Sequence, residues 1–242
     1  MLSIITPTLN EEKYLPLLLG SIKKQNFKDY EIIIADAGSK DTTLDIAKKY
    51  NCKIIPGGLP AKGRNEGVKS AKGDILFFLD ADTILPEDFL TKALREFNER
   101  EMELASFCLV PLPKNKMSLF FMNIFYNQPI ILFEYALPHA ATGILVRKNL
   151  FDKLGGFDED VKLAEDHYLA RRAQEVFGAK LGIIKSTEIF VSDRRFRTDG
   201  WFSVGIRYLL CELHLIFLGP VRSDIFKYKF NHYGEKDKGH KK

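Results

Sequence analysis

Two aspartates one residue apart, Asp80-Ala81-Asp82, follow directly on five apolar residues at 75–79. Carboxylates are hard oxygen donors, and a pair on one short turn can direct oxygens at a single magnesium or manganese ion. Phosphate oxygens and water would complete its shell. The same triplet would also serve as a turn ahead of Pro86-Glu87, so its position after an apolar strand carries the metal reading. A second acidic pair, Glu165-Asp166, opens a segment of helical periodicity. The helix dipole favours acids in a first turn. A carboxylate there can equally take the proton of an attacking hydroxyl, the role assigned to Asp166 with Glu165 beside it.

Further polar groups gather where apolar runs stop. Residues 2–6 run into Pro7, Thr8, Asn10 and Glu11, and residues 30–35 run into Asp36, Gly38, Ser39 and Asp41. A carboxylate offers only acceptors, which suits Asp36 to a nucleobase N–H. Gly38 supplies a turn and Asp41 a helix cap. Lys62 and Arg64 lie in a glycine-containing stretch read as a loop, where their charge could offset a diphosphate. Asp193-Arg194-Arg195-Phe196-Arg197, read as a loop after a strand, sets three arginines in five positions, and planar guanidinium groups match phosphate oxygens by paired hydrogen bonds. Arg194 and Arg195 are therefore expected to close over a departing diphosphate. His139 and His167 receive no metal role.

The elements that must position these groups follow from periodicity. Strands are expected at 2–6, 30–35, 53–55, 75–79, 103–110, 143–146, 180–184 and 188–191. Helices are expected at 11–25 (with Asn10 as cap), 41–50, after the stretch with Lys62, Gly63 and Arg64 as far as Lys72-Gly73, 87–100, 165–177 and from 200 onward. The run at 75–79 is apolar at every position, as in a central strand covered on both faces. Strands alternating with helices predict an α/β fold with a mainly parallel central sheet flanked by helices, whose ligands bind beyond the carboxyl ends of the strands.

Composition narrows the partners. The net charge of +4 belongs to a chain with 45% hydrophobic and 28% charged residues, ordinary for a globular protein. No basic patch interleaved with aromatics occurs before the C-terminus, so nucleic-acid binding is not expected. The residues from Arg222 to Lys242 are basic, which suits a solvated tail or an anionic lipid surface. Apolar segments at 117–137 and 201–221 are interrupted by polar residues, including Glu212, and fall short of a membrane span. They suit core helices or helices lying on a membrane. Cys52, Cys108 and Cys211 are far apart, and the N-terminus lacks the pattern of a secretory leader, so reduced thiols and a cytoplasmic location are expected, peripheral on the inner face of the membrane.

Taken in order, six motifs resemble those of the family 2 glycosyltransferases with the GT-A fold. They are Ile5-Thr6-Pro7-Thr8-Leu9-Asn10-Glu11, Asp36-Ala37-Gly38-Ser39-Lys40-Asp41-Thr42, Lys62-Gly63-Arg64-Asn65-Glu66-Gly67, Asp80-Ala81-Asp82, Gly155-Gly156-Phe157-Asp158-Glu159 and Glu165-Asp166. The resemblance implies a nucleoside-diphosphate-sugar donor, a Mg2+ or Mn2+ ion on the Asp-x-Asp motif, and inversion at the anomeric carbon. It implies that Asp36 reads the base, Arg64 lies near the donor, Asp82 is the chief metal ligand and Asp166 is the base. Two departures are visible. Ala37 stands where many members carry a second aspartate. Arg194-Arg195-Phe196 only partly matches the glutamine-and-tryptophan motif of processive synthases, so processive synthesis is not expected.

The resulting expectation is one GT-A domain at 1–221, with a Rossmann-like nucleotide-sugar half at 1–110, an acceptor half at 111–221, and a basic tail at 222–242. The acceptor is expected to be a hydroxyl on a glycan or a lipid-linked glycan. Two rival readings stand beside it. A sugar nucleotidyltransferase would carry a glycine-rich basic loop after the first strand, where this chain has Pro7-Thr8-Leu9-Asn10-Glu11. An inactive membrane-peripheral binding protein of the same fold would show no turnover.

Overall fold

The structure is a computed structural model that describes residues 1–134, 140, 142–223 and 225. The first half alternates strand with helix: β1 (Leu2–Thr8), α1 (Leu15–Lys23), β2 (Tyr30–Asp36), α2 (Thr43–Lys49), β3 (Lys53–Pro56), α3 (Pro60–Lys69) and β4 (Ile75–Phe78). The chain continues through β5 (Thr83–Ile84), α4 (Phe89–Glu99), β6 (Leu104–Leu112), α5 (Lys116–Met122), a π-helical turn (Asn123–Asn127), α6 (Gln128–Leu132) and β7 (Ile144–Arg147). It ends in α7 (Lys148–Leu154), α8 (Glu165–Phe177), β8 (Leu181–Ser192), α9 (Arg194–Asp199) and α10 (Trp201–Phe217).

Among the described residues eight strands form one sheet in the order β3-β2-β1-β4-β7-β6-β8-β5. The strands β3, β2, β1 and β4 are mutually parallel, and β6 is parallel to β8. β7 runs antiparallel between β4 and β6, and β5 antiparallel to β8. Successive strand side chains point to opposite faces, which explains the unbroken apolar run of β4. Phe77 stacks on Phe89 of α4 at 5.8 Å on one face, while Phe78 meets Phe151 and Phe157 at 5.3 and 5.1 Å on the other.

Several expectations change. Asn10 does not cap α1, which begins at Leu15; it takes a left-handed φ of 56°, its amide donates to Ser39 Oγ and its side chain accepts from Lys40 N. The stretch with Lys62 and Arg64 is helix α3, begun by a proline at its first turn, where a missing N–H costs nothing. Its glycines let it lie on β1: a Cβ at Gly63 would stand 3.3 Å from Pro7 Cβ, and one at Gly67 2.3 Å from Ile5 Cγ2. The strands expected at 180–184 and 188–191 are one strand, β8, with an irregularity in its pairing to β6. The arginine-rich loop is the short helix α9. The apolar segment at 117–137 is a broken helix as far as Leu132, and residues 135–137 and His139 lie outside the described residues.

No helix among the described residues is long and apolar enough to cross a membrane. The three cysteines are free. Of the tail, Arg222 pairs with Asp158 at 2.7 Å next to a bridge between Leu163 and Val221; residues 224 and 226–242 lie outside the described residues.

Candidate active site

The parallel strands β1, β2 and β4 end at one edge, where Thr8 stands opposite Asp36 and β4 runs into Asp80. The Asp80-Ala81-Asp82 turn is held from both sides. Thr83 Oγ1 donates to the Asp80 carbonyl at 2.8 Å, and Ser192 N donates to the Asp82 carbonyl at 3.0 Å. Because β5 pairs with the end of β8, the next residue but one after that strand, Arg194, arrives beside Asp82. On the far side Ala164 adopts a left-handed φ of 59°, turning the chain into α8 so that Glu165 and Asp166 open that helix at the same cleft.

Two arginines clamp four carboxylates. Arg64 is buried; its Nη1 donates to Glu165 Oε1 at 2.6 Å and its Nη2 to Asp80 Oδ1 at 3.0 Å. Asp80 Oδ2 also accepts from Thr142 Oγ1 at 3.1 Å. Arg194 grips Glu11 with both terminal nitrogens, at 2.9 and 3.0 Å, and its Nε lies 3.0 Å from Asp82 Oδ2. Burial opposes charge on both guanidinium groups, but the surrounding carboxylates hold them protonated above their ordinary range. Burial pushes the carboxyls of Glu11 and Asp82 up; Arg194 offsets part of this, and Asp80 adds repulsion to both.

Asp166 is shifted in the same direction. Burial raises its carboxyl to about 6, with His167 and Arg64 pulling down and Glu165 pushing up. His167 Nε2 lies 3.9 Å from Asp166 Oδ1, and its Nδ1 contacts Glu212 Oε1 of α10. Burial works against the imidazolium, yet Asp166 and Glu212 raise it to about 9. Arg171 Nη2 donates to the other Glu212 oxygen at 3.3 Å.

A cleft of about 940 Å³ is lined by Pro7, Thr8, Asn10, Glu11, Arg64, Asp80, Ala81, Asp82, Glu165, Asp166, Arg194 and Arg195. Four expected site residues are not on its walls. Asp36 accepts from Thr8 Oγ1, Ser39 Oγ, Gly38 N and Ser39 N, so its four lone-pair directions are taken by the loop it organises. Asp36, Gly38 and Ser39 thus shape the floor behind Thr8 and Asn10, and a base N–H would have to displace one of these donors. Lys62 is exposed on α3, its stem over Gly58. Arg194 reaches the site through carboxylates, and Arg195 donates to the Tyr208 hydroxyl.

Sequence reading missed Thr142, His167 and Glu212. Glu212 carried a signal: a carboxylate inside an apolar helix needs a partner. Thr142 carried none.

The chemistry of the donor set fits a hard divalent cation. Asp80 and Asp82 present oxygen donors in mutual repulsion, and Glu11 adds a third nearby negative charge. Among the described residues no group of three or more His, Cys, Asp or Glu side chains forms a metal cage. Such a cation would take its other ligands from phosphate and water, as magnesium does at nucleotide sites, and would compete with Arg194 for Asp82.

Residues 3–154 match Glycosyl transferase family 2, and the chain belongs to that family. The poly(ribitol-phosphate) beta-N-acetylglucosaminyltransferase TarS of Staphylococcus aureus is 34% identical over 112 residues, 42% of this chain and 20% of that protein. The crystal structure of TarS 1–349 in complex with UDP-GlcNAc matches with a TM-score of 0.64 at 23% identity, over 98% of this chain and 77% of that one. A GalNAc(5)-diNAcBac-PP-undecaprenol beta-1,3-glucosyltransferase of Campylobacter jejuni is 33% identical over 122 residues, 45% of this chain and 38% of the relative. The mannosyltransferase PcManGT of Pyrobaculum calidifontis, solved with GDP-Man and Mn2+, has a TM-score of 0.66 at 20% identity, over 85% of this chain and 64% of that one. The fold is GT-A. The alignments span 20% and 38% of the lengths of the two curated relatives.

Proposed function

We propose that the protein is an inverting, metal-assisted glycosyltransferase that moves a sugar from a nucleoside diphosphate to a hydroxyl of a glycan or lipid-linked acceptor. The observation that carries this reading is the bridge from Asp80 through Arg64 to Glu165, which joins the two acidic pairs across one cleft.

The donor occupies the half built from residues 1–110, with Pro7, Thr8 and Asn10 around the nucleoside and the diphosphate toward Asp80 and Asp82. The acceptor enters through residues 111–221. A divalent cation bound to the two aspartates supplies electrostatic stabilisation of the leaving diphosphate. Asp166 accepts the acceptor's hydroxyl proton as that oxygen bonds to the anomeric carbon and the carbon–diphosphate bond breaks on the opposite side. Arg64 holds Glu165 and so fixes the first turn of α8. His167, braced by Glu212, keeps a positive charge beside Asp166 and favours its ionised, proton-accepting form. Arg194 and Arg195 would offer N–H donors to the diphosphate oxygens from the side of the cleft where Asp82 stands. The presence of a base favours a hydroxyl acceptor, since a phosphate is already ionised. The protein works on this reading at the cytoplasmic face of a membrane.

The test is a panel of UDP- and GDP-sugars with soluble and lipid-linked acceptors, scored for nucleoside diphosphate release. Release should require acceptor, vanish with EDTA and return with Mn2+ or Mg2+. Pyrophosphate release would instead identify nucleotidyl transfer and overturn the reading.

A further inference from the structure

The cleft has a second wing that this chemistry leaves unused. Its walls are α10 on one side and α5, the π-helical turn and α6 on the other, with Phe121, Phe125, Trp201, Ile206, Leu209 and Leu213 lining it. The aromatic rings form a continuous surface: Phe121 stacks on Phe125 at 5.7 Å and on Trp201 at 5.8 Å, and Trp201 stacks on Phe196 at 4.0 Å. Gly205 of α10 faces the Phe125 ring across the wing: a Cβ there would stand at ordinary contact distance, 3.6 Å, so a longer side chain would intrude between the walls. The wing shares one cavity with Asp166 and His167.

The apolar lining runs out onto the surface. Phe120, Leu132, Phe202 and Phe217 are 59%, 76%, 65% and 77% exposed. Across α5, the π-helical turn, α6 and α10 the sole carboxylate is Glu212, and it is turned inward onto His167 and Arg171. Lys116 is exposed on α5, while Arg207 of α10 pairs with Asp199 of α9 at 3.4 Å. An apolar gallery that carries Lys116 and no outward carboxylate on its own elements, and that opens into the cleft beside Asp166, complements an amphiphile with an anionic head.

We propose that this wing is the seat of the lipid chain of an anionic lipid-linked acceptor, which lies between α10 and the α5–α6 wall while its sugar hydroxyl reaches Asp166. The proposal rests on the assignment of Asp166 as base. Chain length then sets acceptor affinity, each buried methylene tightening binding by about fourfold.

Trp201 is the only tryptophan in the chain, so its fluorescence reports the wing directly. The probes are hexyl, octyl, decyl and dodecyl phosphates brominated near the chain end, added as monomers below their micelle concentrations. The proposal expects quenching of Trp201 with a Kd that falls steadily from hexyl to dodecyl, and at least tenfold weaker quenching in Gly205→Leu, which fills the gap. Leu209→Glu puts a charge at the mouth from a position 60% exposed, where the fold tolerates it, and should weaken quenching similarly. Circular dichroism confirms folding of both variants. In turnover, KM for alkyl-linked acceptors should fall with chain length in the parent protein and lose that trend in Gly205→Leu.

Absence of quenching, or a Kd indifferent to chain length, overturns the proposal. So does sedimentation showing a dimer whose interface shields Trp201. Quenching needs no transfer, so the two readings fail separately. Chain-dependent quenching without turnover of any donor would sink the glycosyltransferase reading alone. Turnover with chain-independent KM and no quenching would sink the gallery alone.

Discussion

Arg64 ties the site together at the scale of single residues. Its partners lie 16 and 101 positions away in sequence, Asp80 and Glu165, and nothing local announces them. The sequence therefore reads Arg64 as a phosphate ligand, while the fold uses it first to neutralise carboxylates. Removing one member of a buried ion pair leaves the others uncompensated, at a cost of about 3–5 kcal/mol. Arg64→Met should lower the unfolding free energy by about that amount in urea titration; a loss within error of zero would show the bridge to be dispensable. Asp80, Asp82 and Asp166 each had an alternative use in the sequence, a turn or an acid in a first helical turn, and only their places after an apolar strand and at a helix start singled them out. Thr142 was not, because its role depends wholly on where β4 runs. His167 adds a pH dependence. Its folded pKa of about 9 lies above the ordinary 6.5, so its stabilising contribution is complete below pH 6.5 and is lost as pH rises through 9. Asp166 is also raised, so its contribution runs in the same direction, fading as pH climbs through about 6. The melting temperature should fall between pH 6.5 and 9, and His167→Gln should flatten that fall; an unchanged slope in the variant would contradict the assignment.

At the level of elements, α3 shows how far periodicity reaches and where it stops. Gly57, Gly58 and Gly63 suggest a loop that runs through Arg64 before a helix begins. Packing starts the helix earlier, because Gly63 and Gly67 bring its backbone onto β1 and so deliver Arg64 to the strand ends. An added methyl at Gly67 would stand 2.3 Å from Ile5 Cγ2. Gly67→Ala should therefore destabilise by about 1–3 kcal/mol through overpacking, read by thermal or urea unfolding. Stabilisation by the better helix former would refute the close-packing explanation. The same limit explains β8. Two apolar runs around Lys185-Ser186 look like two strands, but pairing along β6 carries one strand through both. The arginine cluster was read as a loop because six residues give too little periodicity to reveal α9.

For the molecule as a whole, the regular βα half was legible from alternation alone, and the join between halves was not. Chain order cannot say that β7 inserts antiparallel between β4 and β6, or that β5 pairs with the end of β8. Those pairings bring α8 and Arg194 to the edge where β1 and β4 end. The six motifs in series made the family legible; the clamps among their side chains depend on the sheet and were not. The organisation also bears on cost. The raised pKa of Asp166 means that the fold disfavours its charge, which a base needs, so function is held at some expense of stability. The decisive measurement is the pH profile of kcat/KM for the parent protein and Asp166→Asn with the donor found in the panel. The parent rate should fall tenfold per unit on the acid side of pH 6, and the variant should be slower by about 100- to 10,000-fold with that limb gone. A variant that transfers sugar at the parental rate, with the same acid limb, would contradict the assignment of Asp166 as base.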